Sequence, residues 1–445
     1  MASAAEQMAR NMKMSAFSKS TELQKRIWFT LGALIVYRLG TYIPLPGIDP
    51  VALEDIFRQN AGGLLGMFDM FTGGALSRMT IFALNIMPYI SASIIMQLMT
   101  AISPSLEQLK KEGESGRKKI NQYTRYLTVL ITIMQAYGIS VGLESMSSGA
   151  AVMEQGWFFR FTTVVTLTGG TMFLMWLGEQ ITQRGVGNGI SLIIFAGIVA
   201  NLPSAIAGTL ELGRTGAIST IFILGLLIMA VGVIFLIVFM ERAQRRIIVQ
   251  YPKRQQGNRM TGGESSHLPL KLNTAGVIPP IFAGSILGLP VTILGFSAAG
   301  AGPEWVTTLT ALMGRGQPAY LIIYVALIVF FAFFYTAVVF NPHDTAENLK
   351  KYGGFVPGIR PGKNTAEYLD KVLSRLTVLG AAYLAAICLL PEILMSQYAV
   401  PFYFGGTSLL IVVTVTLDTV AQVQSHMMAH QYEGLIKKAK LRGRS

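Results

Sequence analysis

The sequence predicts an all-α, polytopic membrane protein that crosses the bilayer about ten times with both ends on the cytoplasmic side. Three observations predict it. Of 445 residues, 52% are hydrophobic and only 13% charged, with a mean hydropathy of +0.50, too little charge to cover a water-soluble surface of this size. Apolar runs of spanning length recur along the whole chain. Between them, Lys and Arg fall almost entirely on alternate loops.

A helix needs about 20 apolar residues to cross the hydrocarbon. Candidate spans lie at 27–43, 79–102, 123–143, 157–177, 186–206, 217–240, 272–293, 319–340, 372–390 and 403–423. The first follows a polar, basic segment, 1–26, and ends in Tyr42-Ile43-Pro44 with no small-residue cleavage site. It therefore reads as a retained anchor. The fifth is the weakest, because it opens on Val186-Gly187-Asn188-Gly189 and contains Asn201 and Pro203. Such a span is shielded by other helices or lines a cavity.

Loop charge sets the orientation. Thirty of the 36 basic residues lie in the segments 1–26, 103–126, 178–185, 241–271, 341–375 and 424–445. Five lie on the opposite side, and Arg38 sits inside the first span. The first side is cytoplasmic by this count, and an even number of spans returns the C-terminus there.

Charge within the spans narrows the function. Only Arg38 and Asp418 lie well inside apolar runs. Ion-coupled transporters carry carboxylates or histidines near the midplane, and two isolated charges read instead as a structural or cavity-facing pair. The chain has no phosphate-binding G-x-x-x-x-G-K-[ST] run, no H-E-x-x-H and no G-x-S-x-G. The glycines of Arg184–Gly189 follow no strand and bring no Lys. His426 and His430 have i,i+4 spacing, but no Glu or Cys joins them as a metal set. Cys388 lies in an apolar run and reads as a small buried hydrophobe. No catalysis and no cofactor are expected, so energy must come from a partner or from the membrane potential.

Four segments outside the spans stand out. On the outer side, 44–78 contains the apolar, glycine-rich run 61–74, too short to cross, which reads as a re-entrant loop or a short movable helix. Lys110–Lys119 is a positive-inside determinant. The basic 241–271 segment carries Arg245, Arg246, Lys253 and Arg254. Its charge suits anionic lipids, RNA phosphates or an acidic protein, and its length favours a protein or ribosome partner. In 341–371, Arg360 stands between two Pro-Gly turns, which suits rigid presentation of a guanidinium.

The stretches Phe71–Arg78, Met87–Ile95, Lys110–Tyr126, Gly170–Gly197, His267–Lys271, Asn341–Gly362 and Pro401–Val413 together resemble the SecY family of bacterial protein-conducting channels over nearly the whole chain. The resemblance implies ten transmembrane helices in two pseudo-symmetric inverted five-helix halves, 27–206 and 217–423, joined by an outer hinge at 207–216 and flanked by cytoplasmic ends 1–26 and 424–445. Between the halves it implies a pore ring of Ile86, Ile90, Ile190, Ile194, Ile281 and Ile411. An i,i+4 isoleucine pair in a span ordinarily packs or faces lipid, and only the resemblance singles these six out. An apolar constriction of this kind gates by dewetting.

The resemblance also implies a plug at 61–74, with Leu64, Leu65, Met67, Phe68, Met70 and Phe71 on it. It implies a lateral gate formed by the second, third, seventh and eighth spans, with polar positions at Gln135 and Asn273. Buried amides there would bond across helices for about 0.6 kcal/mol. Arg360 and the two long cytoplasmic loops would receive a ribosome or the SecA ATPase. SecE and SecG subunits, signal-bearing preproteins and anionic lipids complete the implied partners. The expected function is passage of unfolded secretory chains across the bacterial plasma (inner) membrane and lateral release of apolar helices into lipid. A solute transporter and an intramembrane enzyme remain the alternatives, and both lack their characteristic residues within the spans.

Overall fold

The computed structural model describes residues 21–49, 51–53, 69, 72–145, 152–216, 219–252, 254–256, 259–261, 265–287, 317–397 and 406–442. Helices occur at all ten predicted positions. They are α1 (Thr21–Gly40), α2 (Met87–Ile102) with the short α3 (Pro104–Lys111), α4 (Glu114–Ser145), α5 (Trp157–Arg184), α6 (Gly189–Arg214) and α7 (Thr220–Arg242). The remainder are α8 (Ile278–Leu287), α9 (Pro318–Val339) with the short α10 (Pro342–Lys351), α11 (Lys363–Gln397) and α12 (Gly406–Arg442). Among the described residues seven are long and apolar enough to cross a membrane, or eight if the bent pair α2–α3 is one span. The other two are α1 and α8, and residues 288–316, which follow α8, lie outside the described residues.

Two boundaries differ from the sequence reading for identifiable reasons. The second helix begins at Met87, not at residue 79. Residues 81–86 form turns, and Met79 (φ 44°) and Asn85 (φ 48°) sit in the left-handed region that a helix cannot accommodate. Pro88 then starts α2, where its missing N–H costs nothing. At the other end Ser103 is extended (φ −92°, ψ 118°) because Pro104 follows it. The axis consequently bends by 99° into α3. The second difference is that α4, α11 and α12 run 32, 35 and 37 residues. Hydropathy marks where lipid ends, while these helices continue beyond it on polar residues. The expectedly weak span α6 is a continuous 26-residue helix, with Pro203 inside it and Asn188 capping its start.

The segment 241–271 adds a small β element, while the other named elements among the described residues are helices. Strands β1 (Gln244–Gln250) and β4 (Ser265–Lys271) pair antiparallel from Gln244↔Lys271 to Gln250↔Ser265, with β2 (Arg254–Gln256) and β3 (Arg259–Thr261) paired at the tip. Ile247 and Val249 are buried while Arg246, Ile248 and Gln250 are exposed, the period of a half-covered strand. The hairpin does not stand alone. Gln250 and Phe355 exchange both backbone hydrogen bonds, at 2.9 and 3.0 Å. Ile247 and Leu270 pack with Val356, Ala366 and Leu369. The two long loops are thus one body.

Helix packing is closest where glycine permits it. A Cβ on Gly406 would lie 1.8 Å from the Ile387 carbonyl oxygen, so α12 and α11 meet at a distance only glycine allows. Two ion pairs join α4 to α5 at opposite ends. Glu144, 9% exposed, accepts Arg160 Nη2 at 2.6 Å and the Gly156 N–H at 3.0 Å. Glu179 accepts Arg125 at 2.5 and 3.1 Å.

Candidate functional site: an apolar waist beside a polar vestibule

The largest apolar cluster lies where α1, α2, α5, α6, α8, α9 and α12 converge. Ile86 (1% exposed), Ile90, Ile194 and Ile411 (1% exposed) are buried in it, and Ile190 and Ile281 pack against it. The residues predicted as a ring are therefore brought together from four separate stretches of chain. Five of them, all but Ile190, line one cavity of only about 20 Å³, closed further by Met87, Pro280 and Tyr324, with the polar Asn85, Ser285 and Thr407 at its edge. That holds about one water molecule. Phe282 on α8 meets Phe331 on α9 edge to face at 5.6 Å and backs the Ile281 side of this wall. β-Branched side chains are stiff at χ1, so the constriction is set largely by where the helices sit.

A second cavity of about 430 Å³ opens between the start of α6 and α12. Its lining includes Asn188, Ser191, Asp418, Thr419, Gln422 and Ser425. The contrast in volume and lining with the waist is that of a polar vestibule against a largely apolar constriction. Asp418 faces this vestibule and Arg38 lies elsewhere, so the two intramembrane charges do not pair.

The predicted plug positions Leu64, Leu65, Met67, Phe68, Met70 and Phe71 lie outside the described residues. Their chain root is described. Asp69 Oδ1 accepts the Ser77 N–H at 2.7 Å, and its carbonyl accepts the Gly74 N–H at 3.0 Å. Burial pushes the Asp69 carboxyl up from its ordinary range, opposed by the bonds from Ser77. Tyr37 donates to the Thr72 carbonyl at 3.3 Å. The Gly73 carbonyl accepts both Arg38 Nη1 and Arg78 Nη2 at 3.1 Å. Arg78 also lies over the Tyr42 ring, 4.3 Å from its centroid. Gly73 (φ 69°) has no room for a side chain, since a Cβ would lie 2.6 Å from Arg38 Nη1 and 3.1 Å from Gly197. The sequence reading missed this use of Arg38. Its signal was an arginine alone in an apolar run, 35 residues from its partner.

The two proposed gate amides do not meet. Asn273, 3% exposed, donates to Glu241 Oε1 at 2.7 Å and to the Gly276 carbonyl at 3.0 Å, both within the C-terminal part of the chain. Gln135 is buried on α4, and its Oε1 has no hydrogen-bond partner among the described residues. Of the basic partner-binding candidates, Arg245 and Arg246 are exposed on β1. The backbone of Arg254 lies in β2, and Lys253 lies outside the described residues. Arg360 is exposed between Gly358 (φ 81°) and Gly362 (φ 106°), and its carbonyl accepts Thr365 Oγ1 at 2.9 Å. Among the described residues no group of His, Cys, Asp or Glu could hold a metal ion.

These features define a polytopic helical membrane protein with an apolar-walled central constriction. The SecY family model matches residues 80–420. The protein translocase subunit SecY of Rickettsia conorii is 56% identical over 430 residues, 96% of this chain and 99% of that protein. That of Escherichia coli K12 is 57% identical over 423 residues, 95% and 96% of the two chains. The chain belongs to the SecY family. In fold it is similar to a solved SecY channel studied for its plug domain (TM-score 0.62, 18% identity, 91% of this chain and 92% of that one). It is also similar to Sec61 from a canine ribosome–channel complex (TM-score 0.58, 17% identity, 91% and 93%).

Proposed function

We propose that this chain, a protein-conducting channel subunit, passes unfolded secretory polypeptides through the isoleucine waist and releases apolar helices sideways into the bacterial plasma membrane. The observation that carries the reading is the convergence of Ile86, Ile90, Ile194, Ile281 and Ile411 on a cavity of about 20 Å³. A seal this small is dry to ions at rest. The isoleucines that narrow it make no side-chain hydrogen bonds, so an extended chain can push them aside by repacking alone. The second half of the reading is orientation. The 30-to-five asymmetry of basic residues supports a cytoplasmic position for both ends and for the 241–271 and 341–371 body.

That body presents Arg245, Arg246 and Arg360 on one rigid unit, which suits a ribosome or the SecA motor. The matched relatives are named as subunits of a translocase, which supports assembly with SecE and SecG, and anionic lipids fit the basic loops. The 61–74 segment, rooted by Arg38, Tyr37 and Arg78, acts as the plug. The chain itself performs no covalent chemistry in this reading. The test is a crosslink. A cysteine at Ile194 should capture a stalled, cysteine-bearing preprotein arrested midway in export. Capture equal to that of a lipid-facing control at Phe235 would refute the pore assignment.

A further inference from the structure

The glycine-rich turn Arg184–Gly189 matches no phosphate loop, yet its backbone is tied to three separate helices. The Val186 N–H donates to Thr30 Oγ1 on α1 at 3.0 Å. The Gly187 N–H donates to Gln422 Oε1 on α12 at 2.8 Å, across 235 residues of chain. The Gly189 N–H donates to Thr182 Oγ1 on α5 at 2.9 Å. Asn188 Oδ1 closes the start of α6 by accepting from Ile190 and Ser191 at 3.1 and 3.4 Å.

The glycines are required by this convergence. Gly187 has φ 90°, and a Cβ there would lie 2.8 Å from Leu192 Cδ1 and 3.2 Å from Thr419 Oγ1. A Cβ on Gly189 would lie 1.9 Å from the Gly178 carbonyl oxygen, and one on Gly185 would lie 2.4 Å from Thr30 Oγ1. The close approach to α1, α5 and α12 depends on the missing side chains at Gly185, Gly187 and Gly189.

Ile190 and Ile194 follow directly on this turn in α6. Ile411 lies on α12, the helix that carries Gln422. A helix is stiff along its axis, so a fixed point at its end sets the height and rotation of the side chains above it. We propose that the Arg184–Gly189 turn is a positioning node, in which the Gly187–Gln422 bond holds the Ile190 and Ile194 face of α6 in register with Ile411 on α12. The proposal rests on the ring reading and adds to it the device that joins the N-terminal and C-terminal walls. Gln422 also lines the polar vestibule, so the bond lies at a polar edge and is modest in strength. It biases the register and still lets the walls part.

The test uses cysteine pairs in the full-length chain with Cys388→Ala. One pair, Ile194→Cys with Ile411→Cys, spans the node. The other, Ile281→Cys with Ile411→Cys, joins α8 to α12 without it. Gln422→Met removes the acceptor at similar length, and Gln422→Glu retains it. Gln422→Met is expected to lower the oxidative crosslinking rate of the first pair about fivefold, the equivalent of about 1 kcal/mol at 1.4 kcal/mol per tenfold. Gln422→Glu should restore it, and the second pair should be unmoved throughout. Thr30→Val, which removes the α1 acceptor, should act in the same direction and serves if Gln422→Met fails to insert. An unchanged first pair in the acceptor-lacking variants, or equal loss in both pairs, would overturn the node. Failure of both pairs to crosslink in the parent channel would instead contradict the ring on which the node depends.

Discussion

Replacing Arg38 by Met removes a guanidinium from the root of the plug segment while keeping most of the apolar stem. The Gly73 carbonyl that loses Arg38 Nη1 still accepts Arg78 Nη2 at 3.1 Å, so no buried acceptor is orphaned. The cost is then that of one hydrogen bond in a partly buried site, about 1 kcal/mol, or about fivefold in the population with a released root. Arg38→Met with Arg78→Met strips both donors from the same carbonyl. That approaches the penalty for an unsatisfied buried group, about 3 kcal/mol, or over a hundredfold. The two losses should therefore exceed the sum of the single effects, because both act on one acceptor. Resting ion conductance of purified channels in planar bilayers reads the released population directly. A double variant no leakier than either single one would refute the clamp.

Further outcomes follow from other contacts. Arg360→Glu reverses a charge held rigidly between two positive-φ glycines, and should block motor-driven export from inverted vesicles while the protein still inserts; normal export would refute its docking role. Glu144→Ala leaves Arg160 and the Gly156 N–H without their acceptor and should cost about 2 kcal/mol, read as a lower melting temperature in detergent, with Glu144→Gln retaining about half. Because burial already disfavours the charged form of Asp69 while its Oδ1 accepts from Ser77, Asp69→Asn should leak little more than the parent channel and Asp69→Ala markedly more. Equal leak in both would show that the acceptor is not what matters there.

The spans were legible because lipid imposes long apolar runs, and α7 and α9 fall within a few residues of where hydropathy puts them. The proposed orientation rests on sequence alone, because few basic residues fall on the side read as outer. Other features were hidden for physical reasons. The run Ile81-Phe82-Ala83-Leu84 is as apolar as the helix after it, and only positive φ at Met79 and Asn85 stops the helix from starting there. Those angles are imposed by tertiary contacts, such as the Ile81 N–H bonded to the Ile43 carbonyl at 3.0 Å. The union of the 241–271 and 341–371 loops rests on the bridge Gln250↔Phe355 and the apolar cluster beneath it, neither of which a local pattern announces. The proposed ring isoleucines were singled out only through family resemblance, since nothing in an i,i+4 pair distinguishes a pore from a packed face. The Gly187–Gln422 bond joins residues too far apart in sequence for any periodicity to connect.

The central claim is that the isoleucine waist closes a pore at rest. The most direct measurement is single-channel conductance in planar bilayers for the parent chain and for Ile90, Ile194 and Ile411 replaced together by Ser. The parent waist holds about one water. Three shorter, polar side chains leave room for a continuous file of water molecules at about 30 Å³ each. The account predicts a closed parent channel and frequent resting openings in the triple variant. Conductance indistinguishable from the parent, in a variant that still folds and inserts, would contradict it.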